Sequence, residues 1–542
     1  MMKKNYTDKI LFFLIIIFSI IFIIKSISIA FTYPFSFDGA IIAQIAQNLA
    51  TNLTYKTYYW NIPFDNLAIG LTVVFPIALF FKLFGQTFES GLLINAIYII
   101  LLFFSILYYL KNCLKLNNYF LLVFIIIFYC IKNLFEYGFG LYGEIPMVFY
   151  LILTVILLHK YEQQRKRNLI FWAGVVAGLG FLTKFVFLII VPGFLFMLLW
   201  DFFIKRKEKA IKFLYSYLFF AIGFVVPNLL FEFYKLLSIG FKNFITGWYW
   251  LLFGVGIQSG VVKNVNDRIK DSPDLFTKIN THIDLLVGYI GLNKFFTIFL
   301  LICGILLFYL FIYFTLKQIN KKLNKDLKNV LNNSILFLIT VMLSYFIWWI
   351  FITPTDRAWH RRIMPGIILY AICFVVLLFF IYILLDDYFK NMKKKKLYKI
   401  ILSFASLIIL LFGVYNFIIS ENSKISFRWS KEKTEIMHAA RYINTFPADS
   451  EFFGFNWWQA PNISFASKKI FKDFFKSEEM KKTGQKHYKF LILDRPAMEN
   501  QKLCIEKILS DFEYELVYVY DEVRIYKLTN RLREREWVEE CN

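Results

Sequence analysis

Long apolar runs alternate with short basic stretches along this chain. The first run covers 10–30. Others cover about 91–110, 118–135, 144–159, 211–236, 288–316, 331–352, 363–385 and 398–420. Most reach, or come close to, the ~20 residues that cross a bilayer as helix. The stretch 169–204 is long enough to cross and return as a hairpin with Lys184 near its tip. Lys and Arg gather at the N-terminus and at 160–167, 205–212, 317–328 and 390–399. Basic loops of this kind stay cytoplasmic. Threading the runs through them predicts about eleven spans, N-terminus inside and C-terminus outside. The first run is too long for a signal-peptide core and lacks a small-x-small cleavage site, so it reads as a retained helix.

One apolar run, 68–84, breaks the alternation of sides. It is expected to lie in the outer interface rather than cross. Three segments are expected outside: 31–90, 237–287 and the tail 421–542. The tail reads helix-like over 433–444 and again over 500–510. Short strand-like runs stand at Phe490-Leu491-Ile492-Leu493 and Leu516-Val517-Tyr518-Val519-Tyr520. Short strand-like apolar runs beside helical ones predict a small α/β domain. The expected organisation is a helical membrane module over 1–420, with long outer loops, and an extracytoplasmic domain over 421–542.

Composition agrees with this pattern. Of 542 residues, 58% are hydrophobic and 18% charged, with 66 Phe. That excludes disordered, collagen-like and disulfide-stapled classes. The net charge of +23 is explained by loops that orient helices, so no nucleic-acid partner is expected. The six cysteines show no metal-ligand spacing. Cys504 and Cys541 sit in the polar tail, where pairing requires an oxidising compartment.

Ionisable residues at membrane depth, or basic residues on the outer side, carry the functional signal. Asp38 follows the first helix in Pro34-Phe35-Ser36-Phe37-Asp38-Gly39-Ala40. It reads either as the N-cap of the next helix or as a carboxylate placed to take a proton from a hydroxyl. The aromatics Tyr55, Tyr58, Tyr59 and Trp60 follow, as an interface belt or a sugar platform. Glu144, in Gly143-Glu144-Ile145-Pro146, opens an inward helix. It either complements the helix dipole or faces the same outer cavity. Lys184 either snorkels to the interface or anchors an anion. The sharpest signal is Asp356-Arg357-Ala358-Trp359-His360-Arg361-Arg362, a basic cluster on the outer side. Arg presents a planar fork of donors to phosphate, and bulk anionic headgroups would use the same chemistry. His360 reads as a hydrogen-bond donor, because no second His stands near it in sequence; His282 is a candidate neighbour in space. No residue is assigned to a metal.

At these residues the chain resembles the polyprenyl-phosphate-sugar-dependent GT-C glycosyltransferases, and most of all glycosyltransferase family 39 and the aminoarabinose-transferase group. The features carrying the resemblance run in order: Asp38-Gly39-Ala40 before an alanine-rich helix, Leu83-Phe84-Gly85, Glu144 in Gly-Glu-Ile-Pro, Leu182-Thr183-Lys184, and Arg361-Arg362-Ile363-Met364-Pro365. Many relatives carry an Asp-Glu pair in the first loop; here Gly39 follows Asp38, and Glu144 or Asp65 is left to supply a second carboxylate. The resemblance implies a GT-C-like fold and an inverting transfer of sugar from a polyprenyl phosphate to an extracytoplasmic lipid, glycan or protein. It implies Asp38 as general base, and Arg361, Arg362 and Lys184 on the leaving phosphate. It requires no metal in principle, and a divalent cation stays open because some relatives use one. It places the protein in the plasma (inner) membrane. A flippase or transporter of lipid-linked sugars, and a polysaccharide ligase or polymerase, are the alternatives. Against the transporter stand the lack of an internal repeat and the large outer tail.

Overall fold

The computed structural model describes residues 2–55, 70–131, 134–200, 210–258, 275–290, 333–355, 358–389, 422–447, 449–454, 459–473, 489–494 and 502–532, together with positions 302, 305 and 309. Tyr58, Tyr59, Asp65 and Arg357 lie outside these residues. So do the span expected at 398–420, nearly all of the one at 288–316, and the pairing of Cys504 with Cys541.

Among the described residues six helices are long and apolar enough to cross a bilayer: Asp8–Thr32, Phe88–Cys113, Glu144–Gln164, Tyr217–Leu237, Asn333–Ile352 and His360–Ile383. The first lies within α1 (Met2–Thr32). It is followed by α2 (Phe37–Asn52), α3 (Leu71–Phe84) and α4 (Phe88–Tyr108), which runs on as a wider π turn, Tyr109–Cys113. Next come α5 (Asn118–Tyr129), the short α6 (Leu134–Phe139), α7 (Glu144–Gln164) and α8 (Arg167–Thr183). A 3-10 turn, Phe185–Ile189, leads into α9 (Ile190–Leu199), which packs on the helix at 333–347 and not back along α8, so the hairpin expected over 169–204 is replaced by two diverging helices. Then follow α10 (Ala210–Gln258), α11 (Leu275–Ile290), α12 (Asn333–Ile347), which runs on as a π turn, Trp348–Ile352, and α13 (His360–Phe389).

The helix starts follow local chemistry. Thr87 and Ser90 form a reciprocal capping box on α4, and the Asn117 side chain accepts from Phe120 N at the start of α5. The segments 31–90 and 237–287, expected to be loops, are largely helical in their described parts. The run at 68–84 forms the 14-residue α3, shorter than a bilayer crossing requires. Helix α10 turns at Gly240, where φ is +78°. Its second half folds back, so that Trp248 Nε1 donates to Glu232 Oε2 at 2.8 Å.

Without water, helices associate by close packing, and small residues allow it. Helices α8 and α10 meet this way. A Cβ at Gly174 would stand 2.1 Å from the Phe220 carbonyl oxygen, and one at Gly223 would stand 2.2 Å from that of Phe171. The outward side of α1 keeps Phe12, Phe13, Ile20, Ile24 and Phe31 exposed, which is stable against lipid and not against water.

The tail is an α/β domain. Helix α14 (Asn422–Ile443) leads into β1 (Glu451–Gly454), α15 (Ala460–Ser467), β2 (Phe471–Asp473), β3 (Lys489–Leu493), α16 (Lys502–Ser510), β4 (Phe512–Tyr520) and β5 (Val523–Arg531). The sheet order is β2-β1-β3-β5-β4. Strand β1 is parallel to β2 and β3, and β5 is antiparallel to β3 and β4. Every residue of β3 is buried, as befits the middle strand of a covered sheet. The domain does not stand apart. Helix α15 packs on α2, and α14 packs on α1, so one apolar core runs from the helical module into the tail.

Candidate active site

The site forms where four chain segments meet: the start of α2, the turn before α7, the end of α8 and the start of α13. Helix α2 begins at Ser36, whose Oγ accepts from Gly39 N at 3.1 Å and donates to the Gly140 carbonyl at 2.5 Å. Ser36 is therefore the cap, and the reading of Asp38 as N-cap is corrected. The serine stands two residues earlier, and a short hydroxyl there satisfies the first-turn amide. Asp38 is left free in the first turn to use its carboxylate elsewhere.

It uses it on Arg361. Arg361 Nη1 donates to Asp38 Oδ2 at 2.5 Å, with the arginine side chain 19% and the aspartate 35% exposed. The guanidinium lies over two rings, Tyr142 at 4.3 Å and Trp359 at 4.6 Å to the centroids. Such stacking holds a planar cation in one orientation. Tyr142 is largely buried, and burial pushes its phenol above the ordinary value against the pull of Arg361; it faces the cation as a neutral ring.

Gly143 takes φ +84°, a left-handed turn that glycine makes without penalty, and starts α7. Pro146 in the first turn and Glu144 at the positive end of the helix are both favourable there. Glu144 is 3% exposed and is ion-paired through Oε1 to Lys184 Nζ. Lys184 also donates to the Tyr142 carbonyl at 3.2 Å. The lysine at the end of α8 thus reaches inward to a carboxylate. The reading that it snorkels to the interface is replaced by a buried pair.

Arg361 and Arg362 sit in the first turn of α13. A helix N-terminus already favours anions, and two arginines there strengthen that preference. Arg362 also faces Trp359, at 4.9 Å to the ring centroid. Among Asp38, Glu144, Lys184, Arg361 and Arg362, three cations meet two carboxylates, which leaves a positive surplus. His360 stacks flat on Tyr289 of α11, centroids 4.4 Å apart and 3° between planes. Tyr289 donates through its hydroxyl to the Ala358 carbonyl. His282, on the same helix, meets Trp349 edge-on at 4.8 Å. Burial holds His282 below its ordinary pKa. Helix α11 thereby braces the start of α13. Among the described residues, no group of three or more His, Cys, Asp or Glu side chains could hold a metal ion.

Gly39 leaves no room for a second carboxylate next to Asp38. A Cβ at this position would stand 2.7 Å from the Gly140 carbonyl oxygen and 2.9 Å from Ser36 Oγ. The start of α2 is pressed too closely against the turn before α7 to admit a side chain. Sequence reasoning placed Asp38, Glu144, Lys184, Arg361 and Arg362, and the fold brings them together. It missed Ser36, Tyr142 and Trp359. The signal for Ser36 was a Ser three residues before Gly39 at a helix start; for the two rings it was aromatic residues adjoining charged ones.

Residues 70–231 match the family model of dolichyl-phosphate-mannose-protein mannosyltransferases. Glu144 and Lys184 fall within that match. The fold is shared with ArnT from Cupriavidus metallidurans in its undecaprenyl phosphate-bound form, with a TM-score of 0.52 at 10% identity over 95% of this chain and 97% of ArnT. For apo ArnT the TM-score is 0.55 at 9% identity, over 94% and 97%. The archaeal oligosaccharyltransferase AglB from Archaeoglobus fulgidus, in complex with an inhibitory peptide and a dolichol-phosphate, matches at 0.50 and 10% identity, over 94% of this chain and 74% of AglB. No curated protein sequence matches.

Proposed function

We propose that this chain, a multi-pass membrane protein of GT-C-like fold, is an inverting glycosyltransferase. It moves a sugar from a polyprenyl-phosphate donor to an extracytoplasmic acceptor that is a lipid, a glycan or a protein. The observation that carries the reading is the meeting of Asp38 with Arg361 at the positive end of α13. A carboxylate able to take a proton stands beside a cation able to take a phosphate. The shared fold with ArnT and AglB, whose structures hold polyprenyl phosphates, supports the choice of donor.

In the proposed step the Asp38 carboxylate accepts the proton of the acceptor hydroxyl or amine. The freed lone pair bonds to the anomeric carbon from the face opposite the phosphate. The bond from that carbon to the phosphate oxygen breaks, its electrons stay on the oxygen, and the configuration inverts. Arg361 and Arg362, with Lys184, stabilise the charge that grows on the lipid phosphate. His360 and Arg357 belong to the same binding set, and Tyr58 and Tyr59 to the sugar side. No step passes through a metal ion.

The same reading puts the N-terminus in the cytoplasm, and the tail and the site outside the plasma membrane. It divides the chain into a catalytic module over 1–420 and an extracytoplasmic domain over 421–542.

The test uses purified protein in liposomes with polyprenyl phosphates carrying a labelled sugar and an envelope extract as acceptor. Label should leave the lipid only when both the extract and an intact Asp38 are present. Label that stays on the lipid but becomes accessible from the other leaflet would instead establish a transporter.

A further inference from the structure

We propose that helix α15 of the C-terminal domain is a positioning element for the catalytic base, with Asn462 and Phe465 as its positioning residues. The inference rests on the reading of Asp38 as the base.

The link between α1 and α2 is only four residues, 33–36, and three separate contacts hold it. Asn462 Nδ2 donates to the Phe35 carbonyl at 2.9 Å. The Phe465 ring meets the Phe35 ring nearly edge-on, centroids 5.0 Å apart, and also packs on Phe81 and Phe88. On its other side Phe35 is pressed against Gly91, where a Cβ would stand 2.7 Å from the ring. Phe35 is fully buried, so a shift of its backbone would disturb all three contacts. The next residue is the cap Ser36, and Asp38 stands in the turn that this cap starts.

The tie is reciprocal. Gln44, on the buried side of α2, donates through Nε2 to the Pro461 carbonyl at 3.0 Å. Neighbouring residues of α15 thus grip α2 at its start and two turns further along. The Asn462 amide oxygen is buried and finds no hydrogen-bond partner among the described residues. A buried acceptor left in that state is unfavourable, and the site keeps it for the donor on the other branch. Attachment of the tail does not need this contact. Lys433 already joins α14 to α4 through Glu89, and to the end of α1 through the Phe31 carbonyl at 2.8 Å. The Asn462 bond falls instead on the segment that aims Asp38 at Arg361.

A small misplacement of a reacting group lowers turnover while leaving substrate binding intact. Two variants are compared with wild type in the liposome assay. Asn462→Leu removes the donor and keeps the number and branching of side-chain heavy atoms, and Phe465→Leu removes the ring contact and keeps an apolar side chain. Each should lower kcat roughly 10- to 100-fold, with donor KM within about twofold of wild type. The acid limb of the pH profile, set by the base, should move as well. Tyr442→Phe, which removes a bond to the Val517 carbonyl inside the domain, should leave kcat and the pH profile unchanged. Folded yield is followed by size-exclusion profile, and rates are taken per folded molecule.

Wild-type kcat and pH profile in both folded variants would overturn the proposal. So would an equal loss in Tyr442→Phe, which points to general domain stability. Asp38→Asn is run alongside. If it is inactive while Asn462→Leu and Phe465→Leu behave as wild type, the positioning role alone falls. If it keeps transfer, the base assignment fails and the positioning role goes with it.

Discussion

Arg361 and Asp38, 323 residues apart in sequence, are joined Nη1 to Oδ2 at 2.5 Å. On the proposed mechanism this pair neutralises itself until a donor arrives: a phosphate at the start of α13 would compete with Asp38 for the guanidinium and release the carboxylate to take a proton. The two residues therefore act as one unit. Asp38→Asn and Arg361→Ala should each lower kcat/KM by at least about 100-fold, and the double variant should be no worse than the poorer single one. Arg361→Lys should recover little, because an ammonium lacks the planar fork and the fit over Tyr142 and Trp359. Steady-state rates on the four proteins check this.

The pair of Glu144 and Lys184 is held among buried groups, the glutamate being 3% exposed. Breaking such a pair strands a charge and costs about 3–5 kcal/mol. Lys184→Met should lower the thermal midpoint in detergent strongly. Glu144→Gln combined with Lys184→Met should recover much of it, since no charge is left behind. A double variant as unstable as Lys184→Met would show that packing, not the stranded carboxylate, sets the loss.

Gly39 leaves no room for a second acidic side chain beside Asp38. Gly39→Glu should destabilise the start of α2 and abolish transfer, and Gly39→Ala should already reduce it, because the first side-chain carbon meets the Gly140 carbonyl. Activity and folded yield, measured together, test this. An active Gly39→Glu would mean that the turn before α7 yields easily.

The C-terminal domain should respond to pH through Glu435. Burial, and then the Asp521 carboxylate beside it, push its pKa up to about 7, and Lys431 pulls only partly the other way. A carboxyl raised on folding binds more protons in the folded than in the unfolded state. Its stability contribution is greatest below the unfolded value of 4.5 and is lost as pH rises through about 7. Protection of the domain against proteolysis should therefore fall between about pH 4.5 and pH 7, and Glu435→Gln should flatten that fall. An unchanged slope in the variant would assign it to another group.

The membrane helices, the α/β tail and most of the charged site residues were legible along the chain. Desolvation is a local penalty, so a carboxylate or a cation beside an apolar run stands out without knowledge of its partner. The strand run at 490–493 was readable as a short unbroken apolar stretch and the helix near 433–444 from its sequence pattern. Strands β1 and β2 were not, being only four and three residues long, too short for a period to show.

The apolar and basic pattern of the amino-acid sequence by itself determined a helical membrane protein with a small α/β tail, and it marked Asp38, Glu144, Lys184, Arg361 and Arg362 as out of place. The tertiary structure alone decided which of them pair. Asp38 meets Arg361 because the starts of α2 and α13 converge on the turn before α7. Lys184 turns inward because that turn places Glu144 within reach. The docking of α15 on the link before Asp38 was equally invisible, since Phe35 and Asn462 are 427 residues apart. The physical reason is common to all three: the cost of burying a charged, polar or apolar group is written where the residue stands, whereas its partner lies on distant chain segments that only packing brings together.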